Sequence, residues 1–220
     1  LSGIRVLDFS RVVAGPFAGR LLSDLGADVV KIEPPSGDGT RIHGRDVKGI
    51  TGFFQHQNAG KRNICIDLQA EGAVDLAKSL VAQADIVIEN YKPDGLVKYG
   101  LDHATLCAAH PELVYCSISG FGQYGPNRNQ PGYDLMAQGY GGIMSLTGEP
   151  DGAPMKVGVG IADVMCGMYA TIGILAALRH RDHTGEGQHI DLSLVDAQMA
   201  WLINEGCNYL ASGQVPERRG

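Results

Sequence analysis

Short apolar runs, each bounded by polar or turn-forming residues, recur through the first part of the chain. They are Ile4-Arg-Val-Leu-Asp-Phe9, Asp28-Val-Val-Lys-Ile-Glu33, Asn63-Ile-Cys-Ile-Asp67, Asp85-Ile-Val-Ile-Glu89 and Leu113-Val-Tyr-Cys-Ser-Ile-Ser119. Each has the length and the branched content of a buried strand, and the apolar centre of 85–89 predicts burial on both faces. The segments between them have the other period. Over 12–25 the apolar residues Phe17, Leu21, Leu22 and Leu25 fall at helical spacing, with Gly26 as a stop. Leu76, Leu80 and Val81 mark an amphipathic helix over 71–83, and 101–111 predicts a shorter one. Strand and helix alternate. Parallel strands need crossovers of this length, so the pattern predicts an α/β fold, a Rossmann-like parallel sheet with flanking helices.

Beyond residue 120 the pattern changes. Glycine and proline crowd 121–155, which predicts loops and a joint near 126–155. The polar, glycine-rich stretch 37–52 likewise predicts a mobile loop. From 156 the chain reads as a short β-like run containing Gly158 and Gly160, then as a long helix, nearly all apolar to Leu178 and closed by Arg179-His-Arg181. Small residues (Gly167, Ala170, Gly173, Ala176, Ala177) recur through it, as in a helix buried on most sides with other backbones close by. The terminal cations suit the negative pole of the helix dipole. A turn at 184–188, a strand at 189–193 and a helix over 195–210 follow.

Composition excludes more than it selects. The 220 residues are 44% hydrophobic and 19% charged, an ordinary globular balance. With a net charge of −6 and a pI near 5.6, no global field attracts nucleic acid. The five cysteines are odd in number and lack any Cys-x-x-Cys, which argues against a disulfide framework or a zinc site and for a reducing compartment. His180 and His183 have no acidic or thiol companions and read as a solvated helix end, so no metal is expected. Glycines interrupt the long apolar run short of a membrane span, and no signal peptide is visible. The expectation is a protein without membrane partners, cytoplasmic, or mitochondrial or peroxisomal in a eukaryote.

Asp163 is the residue that does not fit its surroundings. It is the only charge between Lys156 and Arg179, and a carboxylate in apolar company is costly unless it is paired or sits at a helix start. One reading makes it an N-cap, accepting backbone N–H bonds. The other makes it a nucleophile kept ionised at the positive end of a helix, with glycines that let a substrate approach. Elsewhere, the turn Ser10-Arg-Val-Val-Ala-Gly-Pro16 is not Gly-x-Gly-x-x-Gly, so a dinucleotide reading loses its best support. The loop Asn90-Tyr-Lys-Pro-Asp-Gly-Leu-Val-Lys-Tyr99 leaves the carboxyl end of a strand, where open α/β sheets bind ligands; it is either a nucleotide lip or an ordinary connection. Lys61 and Arg62 either hold phosphates or are solvated.

Read as an ordered set, several stretches resemble a known family. Leu7-Asp-Phe-Ser-Arg-Val-Val-Ala-Gly-Pro16, Leu25-Gly-Ala-Asp-Val-Val-Lys-Ile-Glu33, Gly60-Lys-Arg62, Glu89-Asn-Tyr-Lys-Pro-Asp-Gly95, Ser119-Gly-Phe-Gly122 and Thr184-Gly-Glu-Gly-Gln188, with the Asp163 helix, closely resemble the class III CoA-transferases. That family includes formyl-CoA and carnitine CoA-transferases, and the resemblance runs across the whole chain. It implies an interlocked, ring-shaped homodimer with a Rossmann-like CoA-binding domain. It further implies transfer of CoA from an acyl-CoA to a small carboxylic acid, with CoA as substrate and no tightly bound cofactor. The family's nucleophile falls on Asp163, which by this resemblance forms an acyl anhydride and then an aspartyl-CoA thioester. The family's CoA contacts fall on Val12, Val13, Ala14, Ile66, Asn90, Tyr91, Gly95, Lys98 and Tyr99.

Departures accompany the match. A glutamine of formyl-CoA transferase is Val13 here, an arginine that meets CoA phosphate is Pro34, and a lysine is Ser119, which weakens oxalate or formate as substrate. Family members extend well beyond this length, so the chain is expected to be an N-terminal portion. The CoA-binding part would span about 1–125 and the nucleophile helix with its followers 156–220, while the second half, with its glycine loop, lies outside. An α-methylacyl-CoA racemase is the runner-up. Racemases carry a histidine in a Gly-His-Asp context, and this chain has Gly132-Tyr133-Asp134, where a phenol of ordinary pKa about 10 is a poor base. A non-catalytic CoA-binding fragment is the third reading.

Overall fold

A computed structural model describes residues 1–218. The first half alternates as predicted: β1 (Arg5–Asp8), α1 (Ala14–Asp24), β2 (Asp28–Glu33), then a small hairpin of β3 (Asp46–Val47) and β4 (Ile50–Thr51). Next come α2 (Gly52–Asn58), β5 (Arg62–Cys65), α3 (Ala73–Val81), β6 (Ile86–Glu89), α4 (His103–Ala109) and β7 (Val114–Ser119). The second half holds α5 (Asp134–Tyr140), α6 (Ile143–Leu146), α7 (Ile161–Thr184), β8 (His189–Ser193), α8 (Leu194–Met199) and α9 (Ile203–Ser212).

The large sheet is parallel throughout, in the order β5-β2-β1-β6-β7-β8. Counted by appearance in that sheet, the strands run 3-2-1-4-5-6, the dinucleotide-fold order. Winding reverses between β1 and β6, so the loops leaving those two strands diverge and open a crevice. Both faces are covered. Ile86 and Ile88 of β6 and Val114, Cys116 and Ile118 of β7 join a core with α1 and α7, whereas Val87 and Tyr115 join one with α3 and α4.

Helix α7 crosses α1 near the start of both. A methyl group on Gly167 would lie 2.7 Å from the Ala14 carbonyl oxygen and 2.9 Å from the Phe17 ring, so only glycine permits that approach. The expectation of burial on most sides is corrected here: the far side of α7 leaves Met168 and Ile172 exposed (42% and 59%). Its length and composition are enough to cross a membrane, and within this fold half of its apolar window is buried against the rest of the chain.

Other expectations change as well. The 37–52 stretch is not an unstructured loop. Asp38 and Thr40 are buried, the Thr51 hydroxyl donates to the Thr40 carbonyl (2.5 Å), and Thr51 caps α2 through the Phe54 amide. Polar bonding inside the stretch folds it, which an apolar-pattern reading does not see. The glycine-rich 121–155 segment contains α5 and α6, and 156–160 forms no strand. The expected helix over 195–210 is two helices, broken at Ala200–Leu202 and at Ile203, whose φ is 44°.

Candidate active site

The crevice at the strand reversal is closed by a reciprocal bond. The Arg11 amide donates to Asn90 Oδ1 (2.8 Å) and Asn90 Nδ2 donates to the Arg11 carbonyl (2.7 Å). The Arg11 guanidinium lies over the Tyr91 ring, 4.8 Å from its centre. Between these loops opens a cavity of about 350 Å³, walled by Val12, Val13, Ala14, Asn90, Tyr91 and Asp163. The close crossing at Gly167 explains the company Asp163 keeps. One turn before that contact, Asp163 lies on the same side of α7, against the start of α1.

Asp163 is not an N-cap. It is the third residue of α7; the cap position is Gly160, which has no side chain to offer. The capping is done by another element. Asp134, first residue of α5, accepts from the Ala162 amide (2.8 Å) and at longer range from the Asp163 amide (3.4 Å). Buried Gln138, one turn along α5, donates to Asp134 Oδ2 (2.7 Å) and accepts from the Val157 amide (2.8 Å), which ties down the 156–160 segment. The remaining first-turn amides are also used, Ile161 to the Val159 carbonyl and Val164 to that of Gly160.

The Asp163 carboxylate itself accepts no hydrogen bond from the described residues. Burial, with the Asp134 charge nearby, pushes its pKa up to about 7. The expectation of a carboxylate held ionised by the helix start is therefore corrected: desolvation and a like charge oppose ionisation, and the amides that would favour it face Asp134.

Of the sequence-predicted contacts, Val12, Val13, Ala14, Asn90 and Tyr91 meet Asp163 in one cavity. Ile66 does not; it is buried in the core beneath α3. Gly95 lines a neighbouring depression with Glu89, His103 and Ser117. Lys98 lies over the Tyr99 ring (4.6 Å), and neither lines the cavity. Lys61 is neither solvated nor free for phosphate, because its ammonium is buried against Asp8 (2.7 Å), while exposed Arg62 pairs with Asp28. Lys92, from the 90–99 loop read as a possible nucleotide lip, also lines the cavity, and Arg11, Arg128 and Asp134 are cavity residues that the sequence did not single out. The available signal was Asp134 and Gln138 four residues apart, a helical spacing hidden among glycines.

Three comparisons bear on this geometry. The profile described as CoA-transferase family III matches residues 1–220. The succinate–glutarate CoA-transferase of Agrobacterium fabrum is 51% identical over 228 residues, covering 100% of this chain and 57% of that protein. The acetyl-CoA:oxalate CoA-transferase of Acetobacter aceti is 40% identical over 220 residues, 99% of this chain and 57% of that one. Among solved structures, a CAIB/BAIF family protein from Brucella suis superposes with a TM-score of 0.96 at 50% identity, over 100% of this chain and 59% of that one. The chain thus spans somewhat more than half the length of these relatives.

Proposed function

The chain belongs to CoA-transferase family III, and from that membership we propose that the whole protein exchanges coenzyme A between an acyl-CoA and a small dicarboxylic acid. Relatives named for succinate, glutarate and oxalate support that substrate class. One observation carries the reading: Asp163, whose carboxylate accepts no hydrogen bond from the described residues, lines a cavity at the strand reversal, where α/β sheets take nucleotide ligands.

In this reading the Asp163 carboxylate attacks the thioester carbonyl, forming a mixed anhydride and expelling CoA thiolate. The thiolate attacks the aspartyl carbonyl, giving an aspartyl-CoA thioester and releasing the donor acid. The acceptor carboxylate then attacks that thioester, expelling CoA thiolate and forming a second mixed anhydride. The thiolate attacks the acceptor's carbonyl carbon, giving the new acyl-CoA and freeing the Asp163 carboxylate. Each step exchanges one acyl bond for another, so no ATP is consumed. The first-turn amides of α7 are occupied, so oxyanion stabilisation comes from outside that turn.

Asp163→Asn in the full-length protein tests this. It keeps the shape and removes the attacking carboxylate, so turnover should fall by orders of magnitude while CoA still binds. Hydroxylamine should trap the wild-type acyl intermediate on the Asp163 peptide. Normal turnover by a folded, non-deamidated Asp163→Asn variant refutes the mechanism.

A further inference from the structure

Beneath the turn that carries Val12, the charged ends of two lysines are sealed from solvent, the side chains of Lys31 and Lys61 each 1% exposed. Lys31 Nζ donates to the Ser10 carbonyl (2.7 Å) and pairs with Asp38 Oδ2 (3.0 Å). Asp38 in turn accepts from the Val12 amide (3.2 Å), the Thr40 amide (2.9 Å) and the Thr40 hydroxyl (2.8 Å). Alongside, Asp8 is paired with Lys61 and accepts from the Ser10 amide (2.9 Å) and from its hydroxyl. The Ser10–Val12 segment is thus held at both ends by buried charge.

Between those anchors Val12 has φ of 70°. A β-branched residue in the left-handed region is strained and persists only where the surroundings over-determine it. Buried ion pairs are an inefficient source of stability, since apolar groups of similar volume commonly do as well. This network converges on one segment, and that segment continues into the cavity wall. We propose that Asp38, backed by Lys31, is a positioning residue that holds Val12 in its left-handed conformation and so sets the Val12–Ala14 wall against which the acyl-CoA lies. The part about acyl-CoA rests on the function proposed above; the anchoring of Val12 does not.

The test is Asp38→Asn in the full-length enzyme, with and without Val12→Gly. An amide at position 38 must turn its NH2 toward Lys31 or toward Thr40, which loosens the anchor. The acyl-CoA KM should rise about tenfold while kcat changes little. Adding Val12→Gly should return most of the KM, because glycine adopts this φ without strain. A folded Asp38→Asn variant with unaltered KM overturns the proposal, as does a fall in kcat alongside a rise in KM that Val12→Gly leaves unrelieved. Should Asp38→Asn not fold, hydrogen exchange at the wild-type Val12 amide decides: strong protection supports the anchor and free exchange overturns it. Wild-type protein that does not bind acyl-CoA would sink the transferase reading, and the Val12 amide would still judge the anchor.

Discussion

Burial and the nearby Asp134 charge lift the pKa of Asp163 to about 7, so the carboxylate proposed above as the attacking group changes protonation state near neutral pH. The sign follows. An acid whose folded pKa is raised holds its proton longer than the unfolded chain does. Its ionisation therefore weakens folding as pH climbs from about 4 to about 7, while the carboxylate form that the proposed mechanism uses accumulates over the upper end of that range. The kcat/KM for acyl-CoA should rise with an inflection near pH 7. Asp134→Asn keeps an oxygen to cap α7 and removes the like charge, so the inflection should move to lower pH. An unmoved inflection in the folded variant would mean that Asp134 does not tune Asp163. Asp163 was legible in the sequence because it interrupts an apolar run. Asp134 was not, since its role arises only when α5 is laid across the first turn of α7. Nothing local marks a residue that caps another helix.

At the scale of elements, the contact that matters most is α1 against α7. Gly167→Ala places a methyl group against the Ala14 carbonyl and the Phe17 ring, neither of which can yield easily. It should destabilise the protein by about 1–3 kcal/mol. By shifting α7 against the cavity wall, it should also weaken CoA binding more than its modest loss of stability explains. Denaturant unfolding and CoA titration measure the two, and a variant with wild-type stability and affinity would remove the crossing from the account. Elements built on apolar runs were readable. The predicted bounds of β2 and β8 coincide with those observed, since β2 ends against Pro34-Pro35 and β8 begins after a glycine turn. The 37–52 stretch was misread because what orders it is buried polar bonding at Asp38, Thr40 and Thr51, and composition gives the same signal for such a segment as for a mobile one. Short α5 and α6 were lost among glycines for a related reason.

For the whole molecule, the strand order puts the loops of β1 and β6 side by side, and the fold class was legible because alternation of period implies it. The site needed one further step, the crossing that brings a helix from residue 161 onward over the first βα turn. The interlocked homodimer implied by the family resemblance remains a proposal, and it has a thermodynamic signature. Interlocked chains cannot separate while folded, so the unfolding midpoint of the full-length protein should rise with protein concentration and coincide with dissociation. A folded, active monomer at high dilution would refute it. The sealed lysines have a chemical consequence of their own. Acylating reagents modify neutral, solvated amines, so Lys48, Lys78, Lys92, Lys98 and Lys156, all exposed, should react early. Lys31 and Lys61 should stay unmodified until the β1–α1 turn opens, then appear together in a mass map. Their joint reaction rate is a clock for the opening of that turn, and early acylation of either one in native protein would show that the turn is not shut.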